Sequence, residues 1–454
     1  MPMVCVRRFA AACALLFLLG AFVHAANRSL PEDVNVKIFA TTGQNRLDLL
    51  VRVPLAAVQD IQFPTRGDTG YLDLSAVKSM LPGASRYWIA SCFDVYENGV
   101  PTAKPEITSA RISATSDSSF DSYQNALAHF NAPDLPQESN VFWDQLWLDV
   151  RLEYPLRSDP PRIAIQPKLA GLGVRVSTDM KYVARDGGVR DFSFQGDPGL
   201  IYLDARPRDA AEQFLGWGFR FVLGNADFLL FVFCLALPFR RYRDVWPAVT
   251  AFAGALSLAF LASAIGLSLD AIWFHPLIET LTAIAVLLAA FANIAGRAMP
   301  RRRALFALAS GFVFGFSCSF DYGAKVQFAG SHSAVSAISF GAGVLVALAF
   351  VVALLVPVLS FLFRFARTER VELIVVSALA ADTSWSWLEE RWALLSKVPF
   401  RALVFDAGLL VVILRCLTVL VLFGGVLWFA DGWLKSHGFP SDEPSTRRKG
   451  HTAA

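Results

Sequence analysis

Residues 217–238 read WGFRFVLGNADFLLFVFCLALP, an apolar run of membrane-spanning length. A helix that crosses roughly 30 Å of hydrocarbon needs about 20 consecutive apolar residues. Further apolar runs follow at 246–266, 276–295, 304–322, 334–363, 371–388 and 402–430. This repetition predicts an all-α bundle of seven transmembrane helices over residues 213–434.

The sixth run, 371–388, departs from the others. It is shorter, and it contains Glu372 and Asp382, whose charges are costly in hydrocarbon. A six-helix bundle is therefore the alternative, with residues 371–400 lying along the membrane interface.

The composition of the chain agrees with a membrane protein. Of its 454 residues, 55% are hydrophobic and 17% are charged, whereas soluble domains carry about 25% charged residues. The mean hydropathy is +0.46, and the net charge is only +3. These values exclude a disordered chain and an ordinary soluble enzyme, and no concentrated basic face indicates nucleic-acid binding.

Arginine clusters orient the predicted bundle. They follow the first, third and fifth runs and comprise Arg240, Arg241, Arg243; Arg297, Arg301, Arg302, Arg303; and Arg364, Arg367, Arg370. Because basic loops face the cytoplasm, we expect the odd-numbered helices to run inward and the tail, residues 435–454, to be cytoplasmic. Under a seven-helix count, Arg391, Lys397 and Arg401 would lie outside, against this rule.

The N-terminus has the features of a secretory signal peptide. Arg7 and Arg8 precede an apolar segment over residues 9–22, which is too short to span a bilayer comfortably. Compact residues end this segment, so we predict cleavage after Ala25, which ends the signal peptide at residue 25, or after Ala26; an uncleaved anchor is the alternative. We therefore expect a multi-pass protein of the bacterial inner membrane, with residues 26–212 in the periplasm.

Residues 26–212 are predicted to form an exported, all-β, sandwich-like domain. Alternating apolar residues predict strands at 34–38, 47–53, 93–95, 146–154, 162–166, 174–176 and 192–194. Turn signals at residues 42–45, at Asn98-Gly99 and at residues 186–188 separate several of them. The polar segment 113–122 is expected to be a loop.

This predicted domain shows no catalytic constellation in its sequence. His129 is its single histidine, and neither a G-x-S-x-G motif nor a glycine-rich phosphate loop occurs in it. Cys92 is its single cysteine, so the domain cannot form an internal disulfide or a CxxC site. We expect a domain that binds a periplasmic protein or ligand, and a chain that needs no cofactor and is not an enzyme.

Five polar side chains fall within predicted helices, where such groups are functional candidates. They are Asp227, Glu279, Asn293, Asp382 and Arg415. One hypothesis is an ion or proton path. The structural alternative is a buried Asp227–Arg415 pair that fixes helix packing, with Glu279 near the wet interface.

The predicted helices resemble the HupE/UreJ family of bacterial membrane proteins. Residues 221–232, FVLGNADFLLFV, are similar to the family pattern H-I-L-x-G-x-D-H-L-L-F-L. Degenerate versions of later family segments begin at Val249, Ser310, Phe340 and Ala381. Glu279 and Asn293 fit the family's third-helix positions. A signal peptide, an exported β domain and this bundle also match the layout of longer members.

The resemblance implies nickel or cobalt handling, yet the family's intramembrane histidines are missing here. Their places hold Phe221, Phe228, Leu256, Phe314, Asp382 and Ser386, and Leu345 stands at a glutamate place. His275 and His332 are expected in outer loops. Phenylalanine and leucine carry no donor atoms for these ions, so we expect no metal site and no metal transport.

Two other hypotheses remain. A working transporter for a divalent metal or a proton-coupled solute would use Asp227, Glu279, Asn293 and Asp382, since oxygen ligands suit harder ions. A membrane enzyme is disfavoured because no nucleophile and base are visible together. In every case the lipid bilayer is the expected environment.

Overall fold

The structure is a computed structural model that describes residues 31–398 and Leu414, except 44, 59–60, 68–69, 159–161, 186, 268–270, 297–299 and 365–368. The predicted signal peptide, Arg415, the remainder of the run 402–430 and the tail lie outside these residues. The contacts divide the chain into two units, Met1–Asp204, here the β unit, and Ala205–Ala454, here the helical unit.

The β unit contains two sheets. The strands are β1 Asp33–Thr42, β2 Arg46–Pro54, β3 Phe93–Glu97, β4 Val100–Pro101, β5 Glu106–Ala114, β6 Leu146–Pro155, β7 Ile163–Pro167, β8 Arg175–Val183, β9 Val189–Gln195 and β10 Ile201–Tyr202. One sheet has the order β5-β6-β2-β1-β8-β9 and the other β10-β7-β3-β4. Each predicted strand lies in or overlaps one of these.

Apolar alternation and turn chemistry explain this arrangement. In β1, Val34, Val36 and Ile38 are buried while Asn35 and Lys37 between them are exposed. Strand β1 pairs with β2 as the predicted hairpin. Asn98 and Gly99 have φ values of 54° and 83°, which a tight two-residue hairpin turn requires. The β1–β8 pair is parallel.

The prediction of an all-β domain is wrong in one respect, because the β unit also contains helices α1 Leu74–Ala84 and α2 Tyr123–His129. Asp73 caps α1 by accepting hydrogen bonds from the next turn, and Ser122 caps α2 in the same way. Helices this short carry a weak periodic signal. The expected loop 113–122 also begins inside β5, which ends at Ala114.

The helical unit comprises α3 Pro207–Gly224, α4 Ala226–Ala236, α5 Tyr242–Ala262, α6 Phe274–Ala295, α7 Pro300–Lys325, α8 Ser333–Phe363 and α9 Glu369–Leu395 in the described part of the chain. Five of these, α5 to α9, are long and apolar enough to cross a membrane, and α3 with α4 would be a sixth span if the pair is one broken span. The weakest predicted run, 371–388, lies within a longer helix, α9.

The first apolar run is not one helix, contrary to the prediction. Helices α3 and α4 meet at a bend of 69°. Asn225 leaves the helical conformation, and its side chain accepts a hydrogen bond from the Phe228 amide at 2.9 Å. Asparagine is a strong N-cap, so the Gly224-Asn225 step ends one helix and starts the next.

Glycines let the helices of two pairs approach closely. A Cβ at Gly218 of α3 would lie 2.1 Å from the carbonyl oxygen of Phe340 in α8. A Cβ at Gly343 of α8 would meet the Leu215 carbonyl oxygen at the same distance. Gly311 and Gly315 of α7 likewise lie against the backbone of α5. Small residues at such crossings are typical of membrane helix packing.

Candidate functional site

Asp227 lies in the first turn of α4, directly after the bend. Nη2 of Arg391, on α9, donates to Oδ2 of Asp227 at 2.5 Å, and the two side chains are 12% and 22% exposed for Asp227 and Arg391 respectively. Nη1 of Arg391 also donates to the Glu279 carbonyl at 2.9 Å and to the Thr282 hydroxyl at 3.0 Å. Arg391 therefore joins α4, α6 and α9.

This partner differs from the one considered from the sequence. Arg415 lies outside the described residues, so the Asp227–Arg415 pair stays a prediction. Under the seven-helix count, Arg391 was expected on the outer side of the membrane, after an apolar run that ended at residue 388. The helix continues to Leu395, and this extension places Arg391 beside Asp227.

Asn293 is buried and holds three helix ends together. Its Nδ2 donates to the Cys234 carbonyl at 2.8 Å, and its Oδ1 accepts from Nη2 of Arg303 at 2.9 Å. Arg303 is itself buried and lies over the Phe239 ring, 5.3 Å from its centroid. The amide of Asn293 is therefore engaged in packing α4, α6 and α7.

Glu279 and Asp382 are more exposed. The Glu279 side chain is 41% exposed, and Nε2 of His275 lies 3.7 Å from its carboxylate. His275 lies in the first turn of α6, not in an outer loop as predicted. Asp382 is exposed on α9. Among the described residues, no contact joins the carboxylates of Asp227, Glu279 and Asp382 to one another.

An aromatic cluster fills places where the family resemblance puts histidines. Phe228 is 0% and Phe314 1% exposed, and their ring centroids lie 5.4 Å apart. Phe252 lies 5.6 Å from Phe228 and 5.7 Å from Phe314. Phe221 is 6.4 Å from Phe228. Leu256 is buried one turn beyond Phe252. Four of the missing-histidine places are thus close in space and apolar.

The chemistry of this cluster is packing, not coordination. Each edge-to-face ring pair contributes about 0.5–1.5 kcal/mol beyond burial of its surface. A nickel or cobalt ion needs several nitrogen, oxygen or sulfur donors, and phenylalanine supplies none. Across the described ranges, no three His, Cys, Asp or Glu side chains lie close enough together to hold a metal ion.

A buried polar group in the β unit was not identified from the sequence. Its centre is Arg52, which is 2% exposed. Arg52 donates from Nε and Nη2 to the two carboxylate oxygens of Asp149, at 2.6 and 2.8 Å. It also donates to the Asp117 carbonyl at 2.9 Å and to the Asp117 carboxylate at 3.1 Å.

His129 and Ser113 complete this group. Nε2 of His129 lies 2.9 Å from Oγ of Ser113 and 3.1 Å from Oδ2 of Asp149. Nδ1 of His129 faces Asp117 at 3.5 Å. The imidazole of His129 lies between the carboxylate of Asp117 and the hydroxyl of Ser113, the arrangement of groups found in a hydrolase triad. However, Ser113 is 1% exposed and its hydroxyl donates to Asp149, so it is not poised to attack a substrate.

Hydrogen bonds determine the charges in this group. Burial would raise the pKa of Asp117, but bonds from the hydroxyl and amide of Ser119 and from Arg52 lower it to about 2. Burial would lower the pKa of Arg52, but Asp149 and Asp117 hold it above its ordinary value. Both side chains are therefore charged near neutral pH.

A cleft of about 300 Å³ opens beside His129 and Asp117. A neighbouring cleft of about 100 Å³ shares Arg111, Ile112, Asp134 and Leu135 with it. The buried Arg111 donates to the carbonyls of Ala132 and Pro133, at 3.0 and 2.7 Å, and so fixes the loop that follows α2. The walls combine carboxylates with aliphatic and proline side chains.

No local spacing in the sequence could have revealed the Arg52 group. Its members belong to β2, β5, β6, α2 and the segment between β5 and α2. They meet because β5, β6 and β2 are neighbours in one sheet and because α2 packs its apolar face on Phe39 and Leu50 of that sheet.

A comparison with models of known protein families matches residues 199–391 to the family described as HupE / UreJ protein. No curated protein matches the chain. The matched residues include the bend between α3 and α4, Asp227 and the aromatic cluster, and they contain apolar helices suited to a multi-pass membrane protein. The match supports membership of the HupE/UreJ family for this part of the chain, as its motifs indicated.

Proposed function

We propose that this protein is an inner-membrane member of the HupE/UreJ family that does not transport nickel or cobalt and is not an enzyme. The observation that carries the proposal is the aromatic cluster around Phe228 and Phe314. A cation that lost its hydration shell there would find hydrocarbon in place of ligands, which is strongly unfavourable.

Asp227 supports the same proposal. Its carboxylate is compensated by Arg391 at 2.5 Å, so its charge is already balanced inside the helical unit. A divalent cation would have to displace an arginine that is also bonded to the Glu279 carbonyl and the Thr282 hydroxyl. The arrangement thus favours a structural ion pair over a cation ligand.

Calorimetric titration of the full chain in detergent with Ni²⁺ and Co²⁺ tests this proposal, together with metal analysis of the purified protein. We expect no stoichiometric binding. A matched variant, Phe221→His/Phe228→His/Phe314→His, restores three donor groups at neighbouring positions and should gain measurable affinity if it remains helical by circular dichroism. Tight stoichiometric binding by the unaltered protein would refute the proposal.

We further propose that the β unit is periplasmic and binds a protein or ligand at the cleft beside His129. The support is a cleft whose walls are held in place by Arg111 and Arg52 and whose charged side chains include Asp117 and Asp134. Surface segments braced by a rigid sheet are common binding sites.

Photo-crosslinking in living cells tests this second part. A crosslinking residue at Ser116, exposed at the cleft, should give a discrete adduct. The control position is Val174, which is 65% exposed and is not part of the cleft wall. Identical crosslinking patterns from both positions, or no adduct from Ser116, would count against the cleft as the binding site.

One observation favours a second candidate function, a permease for a metal or a proton-coupled solute. The bend between α3 and α4 makes a discontinuous helix beside Asp227, and broken helices often line transporter sites. Under this hypothesis Asp227→Asn should abolish uptake of some ion or solute. An uptake activity that survives Asp227→Asn unchanged would eliminate a role for this carboxylate.

A further inference from the structure

Several arginine-rich helix ends meet at one end of the helical unit. The ends of α4 and α8 and the start of α9 pack around Leu237, Leu359 and Phe363, with Leu373 against them. The Asn293–Arg303 bond joins the end of α6 to the start of α7. We call this region the arginine end; its described arginines are Arg240, Arg241, Arg243, Arg302, Arg303, Arg364 and Arg370.

Two of these arginines form hydrogen bonds within the helical unit. Arg240 donates to the carbonyls of Leu237 and Phe239, at 2.7 and 3.2 Å, and its guanidinium lies 3.9 Å from the centroid of the Phe363 ring. Arg303 is buried against Asn293. Their guanidinium groups are directed into the protein.

The other five arginines have exposed side chains. They are Arg241, Arg243, Arg302, Arg364 and Arg370. Within the described ranges, no carboxylate forms an ion pair with any of them. Asp244 is exposed in the same region, and Glu372 is half-buried. The arginine end therefore presents an excess of positive charge to its surroundings.

Exposed apolar side chains lie next to these arginines on the same helix ends. They are Tyr242, Trp246, Leu305, Phe361 and Val371, with exposures of 51%, 63%, 60%, 65% and 55%. Tryptophan and tyrosine concentrate where a membrane meets water. In a membrane helix bundle, this places the exposed guanidinium groups at the depth of the lipid head groups.

We propose that the arginine end binds the phosphate groups of anionic phospholipids. A guanidinium donates two parallel hydrogen bonds to a phosphate, which a lysine ammonium does not do. The exposed apolar side chains beside it would contact the acyl chains of the same lipids. This inference is independent of whether the protein transports metal, and it identifies a lipid class rather than the bilayer in general.

Native mass spectrometry of the full chain, titrated with phosphatidylglycerol or phosphatidylcholine, tests this proposal. We expect a preference for phosphatidylglycerol. Each basic residue near an anionic surface strengthens binding roughly fivefold. Arg241→Gln/Arg364→Gln should therefore weaken phosphatidylglycerol binding by roughly 25-fold and leave phosphatidylcholine binding unchanged.

The matched control is Arg208→Gln/Lys397→Gln, which removes the same charge from the opposite end of the helical unit. Arg208 lies in the first turn of α3, whose Phe214 packs on Tyr322 near the end of α7, and Lys397 follows the end of α9. This control should keep the affinity of the unaltered protein. Equal losses in both variants would show a bulk charge effect and overturn the proposal.

Two further results would overturn it. One is unchanged phosphatidylglycerol affinity in the arginine variant. If that variant does not fold, the salt dependence of the unaltered protein provides the second test. We expect its phosphatidylglycerol preference to disappear in about 0.5 M salt, where charges are screened within a few ångströms. A preference that is absent at low salt or persists at high salt contradicts binding through phosphate. Displacement of the lipid by inorganic phosphate at equal concentration would instead indicate a free-anion site.

Discussion

The role of Asp227 depends on the side chains that contact it. On its own, a carboxylate in an apolar run is a functional candidate because its charge is costly in a membrane. The contact with Arg391 at 2.5 Å changes this interpretation, since each charge offsets part of the other's cost of burial. Their bond ties the helix that follows the bend to α9.

At this scale we predict that Arg391→Gln destabilises the helical unit by about 3 kcal/mol, because it leaves Asp227 charged and partly buried without its partner. Denaturant titration of the full chain in detergent would measure this. The double variant Asp227→Asn/Arg391→Gln should lose less than the sum of the two single variants.

The control for this prediction is Lys325→Gln. Lys325 pairs with Asp321 one turn earlier on α7, and their side chains are 30% and 31% exposed. Such a solvated pair contributes less than about 1 kcal/mol. A loss from Arg391→Gln no larger than that from Lys325→Gln would show that the Asp227 pair is not structural.

A second prediction concerns Asp117, whose pKa falls from 3.8 to about 2 in the folded protein. A carboxyl with a depressed pKa stabilises the fold above its unfolded pKa, and this contribution is lost as the pH falls through the folded value. Asp117→Asn should therefore destabilise the β unit by about 2 kcal/mol near neutral pH. Calorimetry between pH 6 and pH 2 should show this difference shrinking, and a pH-independent difference would contradict it.

At the scale of helices and strands, two features position the helices: the close crossing of α3 and α8, and the break between α3 and α4. Gly218 and Gly343 bring α3 and α8 into backbone contact, and Asn225 ends α3 and caps α4. Both features depend on small or capping residues that an apolar average does not distinguish. The bend between α3 and α4 positions Asp227 in a first helical turn, where Arg391 reaches it.

We predict that Gly218→Ala destabilises the helical unit by more than about 2 kcal/mol, since the added methyl would overlap the Phe340 carbonyl and separate the helices. The matched control is Gly216→Ala in the same helix, where a Cβ would meet nothing within 4 Å. That change should be neutral or stabilising by up to about 1 kcal/mol through helix propensity. Thermal unfolding in detergent compares them, and equal effects would refute the close crossing.

At the scale of the whole molecule, the chain consists of two units whose exposed surfaces differ in polarity. The β unit buries its apolar residues between and beneath sheets, whereas the helices of the helical unit expose many large apolar side chains, such as Phe361 and Trp246. Side chains of this kind suit contact with lipid. The division falls between Asp204 and Ala205, just before α3 begins at Pro207.

From this division we predict that residues 26–204 fold when expressed without the helical unit. The β unit has its own core and its own hydrogen-bonded sheets, which are the requirements for independent folding. A dispersed NMR spectrum and a cooperative thermal transition of this fragment would confirm it. An aggregated or unfolded fragment would show that the β unit depends on the helices.

Much of the architecture could be predicted because it depends on local pattern. Alternation at Val34, Val36 and Ile38 marks a strand wherever it pairs, and the Asn98-Gly99 dipeptide marks a tight turn. The errors have equally local causes: α1 and α2 are short, and the break at Asn225 lies inside an apolar run. Of the candidate side chains, Asp227 and Asn293 proved to be bonded to arginines that the sequence did not assign to them.

The amino-acid sequence alone was enough to indicate a membrane protein resembling the HupE/UreJ family, with a β-rich region before its helices and with phenylalanines at several places where the resemblance puts histidines. These properties follow from composition, periodicity and motif order, which need no knowledge of distant contacts. The folded structure was needed to see that Phe228 packs on Phe314, that Asp227 binds Arg391, and that His129 contacts Ser113 and Asp149. Each of these pairs joins different helices or strands, and only the packing of those elements brings their side chains within contact distance.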